Sequence, residues 1–475
     1  MTHPALDRAT FHARHHLDHL DTLPVAPVVS RDTLLSRFDI PLGRAGIPAA
    51  QVIDDLARAA DGGLVNNTGA RFYAWVMGGT LPSALAAEWL LTAWDQNAAI
   101  YATSPVASVV EEVAGKWLLD VLGLPASASF AFTTGCQMAH FVAILSARDQ
   151  VLRAAGWDVG TQGLAGSPPI RVLVSAIRHV SLDRALRYAG IGAQQLVALP
   201  ADATGATTPT VLEAALKSGG GPTIVGLNAA DLNTAAFDDF RELVPLAHAH
   251  GAWVHVDGAF GLFARTSPRY APLVDGMELA DSWAADCHKW LNVPQDCGFA
   301  AVRHPEAHRR AFTIHDSYFV AEKEARDEID WTPEWSRRAR GFATYAALRE
   351  LGRDGVGAMI DRCCDQCSAL VGGIGALPGA EIVSPARLNQ GLVRFLAPHE
   401  GATEEDHDAY TDHVITVINR SGEAMFGPVT WRGRRAMRVC VVNWQTDAVA
   451  VARTVAAVQR ALEESERPAS ASRRE

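Results

Sequence analysis

A lysine stands in the run Asp-Cys-His-Lys-Trp at 286–290, thirty-two residues after an aspartate that closes an apolar stretch. The stretch, Ala252-Trp-Val-His-Val, reads as a buried strand ending at Asp257, with Gly-Ala-Phe (258–260) behind it. A lysine and an aspartate on neighbouring strand ends suit one cofactor chemistry. The amine condenses with an aldehyde, and the carboxylate pairs with a protonated ring nitrogen and keeps the ring an electron sink. Lys289 and Asp257 therefore point to pyridoxal 5'-phosphate (PLP), with Lys289 as the Schiff-base residue. A lone lysine would more often be a surface charge or half of a buried ion pair.

A second segment supplies what a phosphate needs. Thr133-Thr-Gly-Cys-Gln (133–137) reads as a strand–turn–helix junction. Gly135 permits the tight turn, and the backbone N–H groups of Cys136 and Gln137 open a helix, where free donors and the helix dipole favour an anion. Ser282 offers a further hydroxyl.

Four blocks in this order carry a family resemblance: Ser104-Pro-Val-Ala-Ser-Val-Val-Glu-Glu, Thr133 to His140, Ile177-Arg-His-Val-Ser-Leu-Asp-Arg-Ala, and His255 to Trp290. Over residues 71–444 the chain resembles the group II PLP-dependent amino-acid decarboxylases, the aromatic-L-amino-acid and glutamate decarboxylase clan, and a bacterial branch within it. The resemblance implies an α/β PLP fold of type I (aspartate-aminotransferase-like) and a homodimer with its active site at the subunit interface. It implies loss of CO2 from an L-amino acid to give the amine. It makes His179 the imidazole stacked on the cofactor ring, Ala259 the small residue on the opposite face, and His288 a neighbour of Lys289. Asn233 and Thr234 would help orient Asp257 or the ring hydroxyl. Tyr318, in a charged stretch that reads as a mobile loop, would reprotonate the substrate carbon, and aldehyde-forming relatives tend to carry Phe there. Trp75, Ile100 and Tyr101, with Met77 and Trp94, fall in segments that line the pocket in relatives and favour an aromatic or apolar side chain. Arg337, Arg338 and Arg340 would hold the loop or the partner's phosphate end.

Several positions depart from the bacterial branch. Cys136 stands where Ala is usual and His140 where Asn is usual. Leu227-Asn-Ala-Ala replaces Ala-Gln-Ala-Gly, and Gln295 stands where Tyr is common. These leave PLP binding intact and put the substrate in question. Other outcomes on the same cofactor (oxidative deamination to aldehyde, aldol cleavage, transamination) or a non-catalytic binding partner are the alternatives.

The elements that position these residues follow from the pattern. Strands at 129–133, 171–175, 223–227 and 253–257 alternate with helices at 137–154, 181–189 and 240–250, which indicates an α/β fold with a mainly parallel central sheet. Ligands gather at the carboxyl ends of such strands. The expected layout is an N-terminal arm (1–80), a large PLP-binding domain (81–360), a smaller C-terminal α/β domain (361–462) and a disordered tail (463–475).

Composition sets outer limits. The 475 residues carry 42 Lys+Arg against 53 Asp+Glu, a net charge of −11, with no basic stripe for nucleic acid. No 18-residue apolar span suggests a membrane segment, and the N-terminus lacks a signal-peptide pattern. Seven irregularly spaced cysteines suggest reduced thiols in the cytoplasm. No metal is expected: Cys364 and Cys367 lack a second pair, and His12, His15, His16 and His19 share a helix face without other ligands.

Overall fold

The computed structural model describes residues 2–314 and 325–466. The chain forms two compact units. The larger comprises Gly78–Asp365 with Arg387–Gln390. Its seven strands are β1 (Ser129–Thr133), β2 (Arg171–Ser175), β3 (Leu196–Leu199), β4 (Thr223–Asn228), β5 (Trp253–Asp257), β6 (Ser282–Asp286) and β7 (Gly298–Val302), in the spatial order β1-β7-β6-β5-β4-β2-β3. From β3 to β6 every pairing is parallel, whereas β7 runs antiparallel to both β6 and β1.

The parallel strands read as apolar runs because helices bury both faces. Every residue of β1, β4, β5, β6 and β7 is buried. The helix Cys136–Ala154 lays Ala139, Val142, Ala143, Ala147 and Val151 inward, and it packs on β6 and β7. Ile144, Leu152, Val172, Val174, Leu182, Leu186, Ile224 and Trp253 form one core cluster. Each such Val, Leu or Ile stabilises the fold by roughly 1.5–3 kcal/mol through burial.

The sheet aligns Thr133, Asp286, Asp257 and Asn228 along one edge. The register pairs Thr133 with Gly298, Gly298 with Asp286, Asp257 with Ala284, and Asn228 with Asp257. Gly298 is where the turn at Gly135 crosses close to β7, since a Cβ there would collide with the Gly135 backbone.

The second unit joins both ends of the chain: Met1–Met77, Gln366–Ala386 and Gly391–Glu475. The arm expected as a separate segment is thus part of one unit with the C-terminal domain. Tyr73 N–H donates to the Met425 carbonyl (2.9 Å), and the Tyr73 and Phe426 rings stack at 5.2 Å. Strands β8 (Ala380–Arg387), β9 (Gln390–Phe395), β10 (Gly427–Trp431) and β11 (Arg434–Cys440) form a sheet in the order β10-β11-β9-β8. The final helix runs through Ser465, three residues into the expected tail, whose positions 467–475 lie outside the described residues.

Candidate active site

Lys289 sits in the short helix Cys287–Trp290 that follows β6. The backbone of Gly78 passes so close to the Lys289 carbonyl that any side chain there would strike it. The Lys289 Nζ pairs with Asp286 Oδ2 at 2.9 Å, and Asp286 Oδ1 accepts the backbone N–H of Cys136 at 2.5 Å. Burial would lower the lysine pKa, but Asp286 first, then Cys136 and Asp257, more than offset it and hold the amine above its ordinary value.

Asp257 ends β5 and is buried beside three cationic or ionisable groups. Burial alone would raise its carboxyl. The charge and hydrogen bond of His140, with Lys289 and His179, outweigh burial and hold it below the usual carboxylate range. His140 Nε2 lies 3.5 Å from Asp257 Oδ2 and 3.4 Å from Cys136 Sγ. Behind it, His140 Nδ1 meets His255 Nε2 at 2.8 Å, and His255 Nδ1 meets the Ser282 hydroxyl at 3.0 Å. Burial and the neighbouring His140 push His255 down to about 3, so it is neutral.

The turn before the helix Cys136–Ala154 is built for an anion. Gly135 adopts φ +154°, a conformation that favours glycine. The Gln137 Nε2 amide is buried and has no hydrogen-bond partner among the described residues. An orphaned donor at a helix start fits a phosphate group. His288 stands alongside: its Nδ1 accepts the Cys297 N–H at 3.2 Å, its Nε2 is 3.6 Å from Asp286 Oδ1, and burial lowers its pKa.

Ligand atoms of Cys136, His140 and Asp257 also lie within 4.8 Å of one another, a grouping that a metal ion could use. Burial, then the charges of Asp286 and Asp257, push the Cys136 thiol well above its ordinary pKa.

Comparison with known proteins decides what this geometry serves. The pyridoxal-dependent decarboxylase conserved domain matches residues 38–397. The chain belongs to the pyridoxal-dependent decarboxylases. An aromatic-L-amino-acid decarboxylase of Bacillus atrophaeus is 25% identical over 91% of this chain and 89% of its own length. An L-2,4-diaminobutyrate decarboxylase of Rhizobium meliloti is 27% identical over 81% of this chain and 76% of its own. The solved structure of an Oryza sativa TDC with PLP and tryptamine superposes with a TM-score of 0.90, covering 97% of each chain at 22% identity. The fold is therefore the type expected, the cofactor is PLP and the enzyme is a carboxy-lyase.

The other expected residues of this decarboxylase can be placed against that frame. His179 is exposed and caps the helix Val180–Tyr188, its Nδ1 accepting from Ser181 N–H at 3.3 Å, and it lies near enough to help lower Asp257. Ala259 is half-buried, donates its N–H to Asp257 Oδ1 (3.2 Å) and accepts Asp286 N–H at 2.8 Å. Thr234 commits its hydroxyl to Asp231 at 2.6 Å, within the loop after β4. Ser282 departs from expectation. It opens β6, four residues and so roughly 13 Å from the phosphate edge, where its oxygen serves Trp253 and His255. Arg337, Arg338 and Arg340 pair with Glu111, Glu88 and Asp296.

Ile100 and Tyr101 are half-buried in the larger unit, where Tyr101 N–H donates to Asp327 at 2.8 Å. Trp75 lies in the other unit, half-exposed, with φ +54°. Trp94 packs edge-on against Phe342. Tyr318 lies outside the described residues. Asp286, His140 and His255 were not assigned roles from the sequence. The spacing held a signal: Cys136 and His140 are four apart on a helix, and His255 and Asp257 two apart on a strand, so each pair shares a face.

Proposed function

We propose that this decarboxylase acts on an L-amino acid with an aromatic or apolar side chain, releasing the amine and CO2. The observation that carries the side-chain class is the commitment of Arg337, Arg338 and Arg340 to carboxylates of the protein itself. An acidic substrate side chain would need a cation left over. Ile100 and Tyr101, and the likeness to an aromatic-L-amino-acid decarboxylase, favour the same class.

When bound, PLP supplies an electron sink for the bond that breaks at the substrate's α-carbon. The protein supplies placement. Lys289 presents the attaching amine, and Asp257 offers its ionised carboxylate to the ring nitrogen. The turn Gly135–Gln137 and His288 hold the phosphate end, and His179 covers one ring face. Ala259 leaves room on the other. Tyr318, with His179 as the alternative, is the proton donor to the substrate carbon.

We infer further that the active form is a homodimer in the cytoplasm. Helices Pro82–Trp94 and Pro105–Val121 expose Trp89, Leu90, Val106 and Val109, an apolar surface that a second copy would cover. The seven cysteines are buried and none is in a disulfide among the described residues, which suits a reducing compartment.

The test is product analysis with purified holoenzyme and each common amino acid in air. Amine from tyrosine, tryptophan, phenylalanine or a large aliphatic amino acid is expected. Turnover confined to acidic or basic amino acids would overturn the side-chain class, and aldehyde as the main product would overturn simple decarboxylation.

A further inference from the structure

Two of the positions at which this chain departs from its branch, Cys136 and His140, meet at the carboxylate of Asp257. What His140 does there follows from which atoms carry hydrogen. Trp253 fixes one end, because an indole N–H can only donate. Its Nε1–H donates to the Ser282 oxygen at 2.8 Å. The Ser282 hydroxyl is then free to donate its own hydrogen to His255 Nδ1, at 3.0 Å. His255 accepts at Nδ1 and so carries its hydrogen on Nε2, which faces His140 Nδ1 at 2.8 Å. His140 in turn carries its hydrogen on Nε2, between the Asp257 carboxylate at 3.5 Å and the weaker acceptor Cys136 Sγ at 3.4 Å.

The opposite direction fails at its last step. With His140 donating backwards to His255, a neutral His140 would turn a bare lone pair toward a carboxylate. His140, His255 and Ser282 are all fully buried, so no water is at hand to relieve that repulsion. The reverse direction keeps a donor at Asp257 only when His140 carries hydrogen on both ring nitrogens, and then too it is the Nε2–H that faces the carboxylate.

We propose that His140 is a positioning residue, held in its Nε2–H form by Trp253, Ser282 and His255, that keeps Asp257 ionised and aimed at the ring nitrogen of the cofactor. The proposal rests on the PLP reading and deepens it for this chain. Other charged or ionisable groups around Asp257 are Lys289 and His179, with Cys136 and Asp286 nearby. Lys289 and His179 sit on the cofactor side, so both are engaged when PLP is bound. His140 reaches Asp257 from the helix behind it and remains in place.

The experiment compares wild type, His140→Leu and His140→Asn, each checked for fold by circular dichroism and loaded with PLP labelled with 15N in the ring. Two quantities are read: the dissociation constant for PLP and the 15N shift of the ring nitrogen. A protonated ring nitrogen is expected in wild type. His140→Leu should bind PLP about tenfold more weakly or worse and move the 15N shift toward unprotonated pyridine. His140→Asn, which restores a side-chain donor, should stay within about threefold of wild type with the ring protonated. An unchanged 15N shift in His140→Leu would overturn the proposal, as would equal loss in both variants, which is what mere packing predicts. Should His140→Leu fail to fold, Ser282→Ala removes the orienting hydroxyl without touching Asp257. A 15N shift unmoved by it would sink the chain of donors. Failure of wild type to bind PLP at all would instead refute the underlying cofactor reading.

Discussion

Lys289, Asp257 and the turn Gly135–Gln137 were legible because each declares its chemistry by type and by the apolar run beside it. Asp286, His140 and His255 were not, because their roles depend on which atoms the register brings together. Replacing Lys289 by Ala should abolish amine production while circular dichroism stays native, and residual turnover would remove Lys289 from its role. A second residue-scale consequence concerns acid. His255 and His308 are both fully buried, and burial lowers each to about 3 from an ordinary 6.5. Below pH 6.5 the unfolded chain takes up a proton at each site that the folded chain refuses. Stability is therefore full above about pH 6.5 and falls toward pH 3, at up to ~1.4 kcal/mol per pH unit for each histidine. His308 is held at both ring nitrogens, by Ser129 Oγ and the Trp331 carbonyl, each at 2.9 Å. Denaturant melts of His308→Gln at pH 7 and pH 5 should show a shallower loss on acidification than wild type. An identical pH dependence would mean that His308 is not the neutral buried group described.

At the scale of elements, the strands found from sequence are those buried on both faces. β3 was missed because its middle residues are exposed, and β8 because none of its residues is fully buried. β7 was missed for another reason. It returns antiparallel directly after the Lys289 helix, without the crossover helix that marks a parallel strand. The stretch Leu227–Ala230, flagged as a departure, has a backbone explanation. Ala230 stands where glycine is usual and adopts φ +69°. That left-handed conformation costs an alanine about 1 kcal/mol, so Ala230→Gly should raise the unfolding free energy by up to about that amount. A destabilised variant would show that the loop relies on the alanine side chain. The block Ser104 to Glu112 acts differently. Its Glu111 is fully buried, pairs with Arg337 at 2.5 Å and accepts the Gly341 N–H at 3.1 Å, while Arg337 also donates to the Phe132 carbonyl at 2.9 Å. Arg337→Met would strand a buried carboxylate and should cost about 3–5 kcal/mol. Adding Glu111→Gln should recover part of it. An unaltered denaturation midpoint in the single variant would show that the pair carries no stability.

For the whole molecule, composition gives an acidic chain and the strand–helix alternation an α/β fold, with no helix among the described residues long and apolar enough to cross a membrane, but neither shows that the two chain ends fold into one unit. Nothing local signals that arrangement, because its contacts join residues more than three hundred positions apart. Arg71 is its clearest link. It is buried, donates to the carbonyls of Asp21 (2.9 Å) and Glu423, and approaches the Glu423 carboxylate at 3.4 Å. Burial, with repulsion from Arg453, lowers its pKa, opposed by Glu423. Arg71→Met keeps the length of the side chain and removes the donors, taking its donor from the Glu423 carbonyl and leaving the Asp21 carbonyl to Arg453 (3.1 Å), a loss of order 1–3 kcal/mol for a group left dry and unpaired. Contacts of such sequence separation close late and open together. Hydrogen exchange of Arg71→Met should therefore speed up in parallel across residues 20–73 and 415–455. Faster exchange confined to the N-terminal stretch would mean that the two ends hold together without this arginine and that its carbonyl contacts serve only the segment they come from.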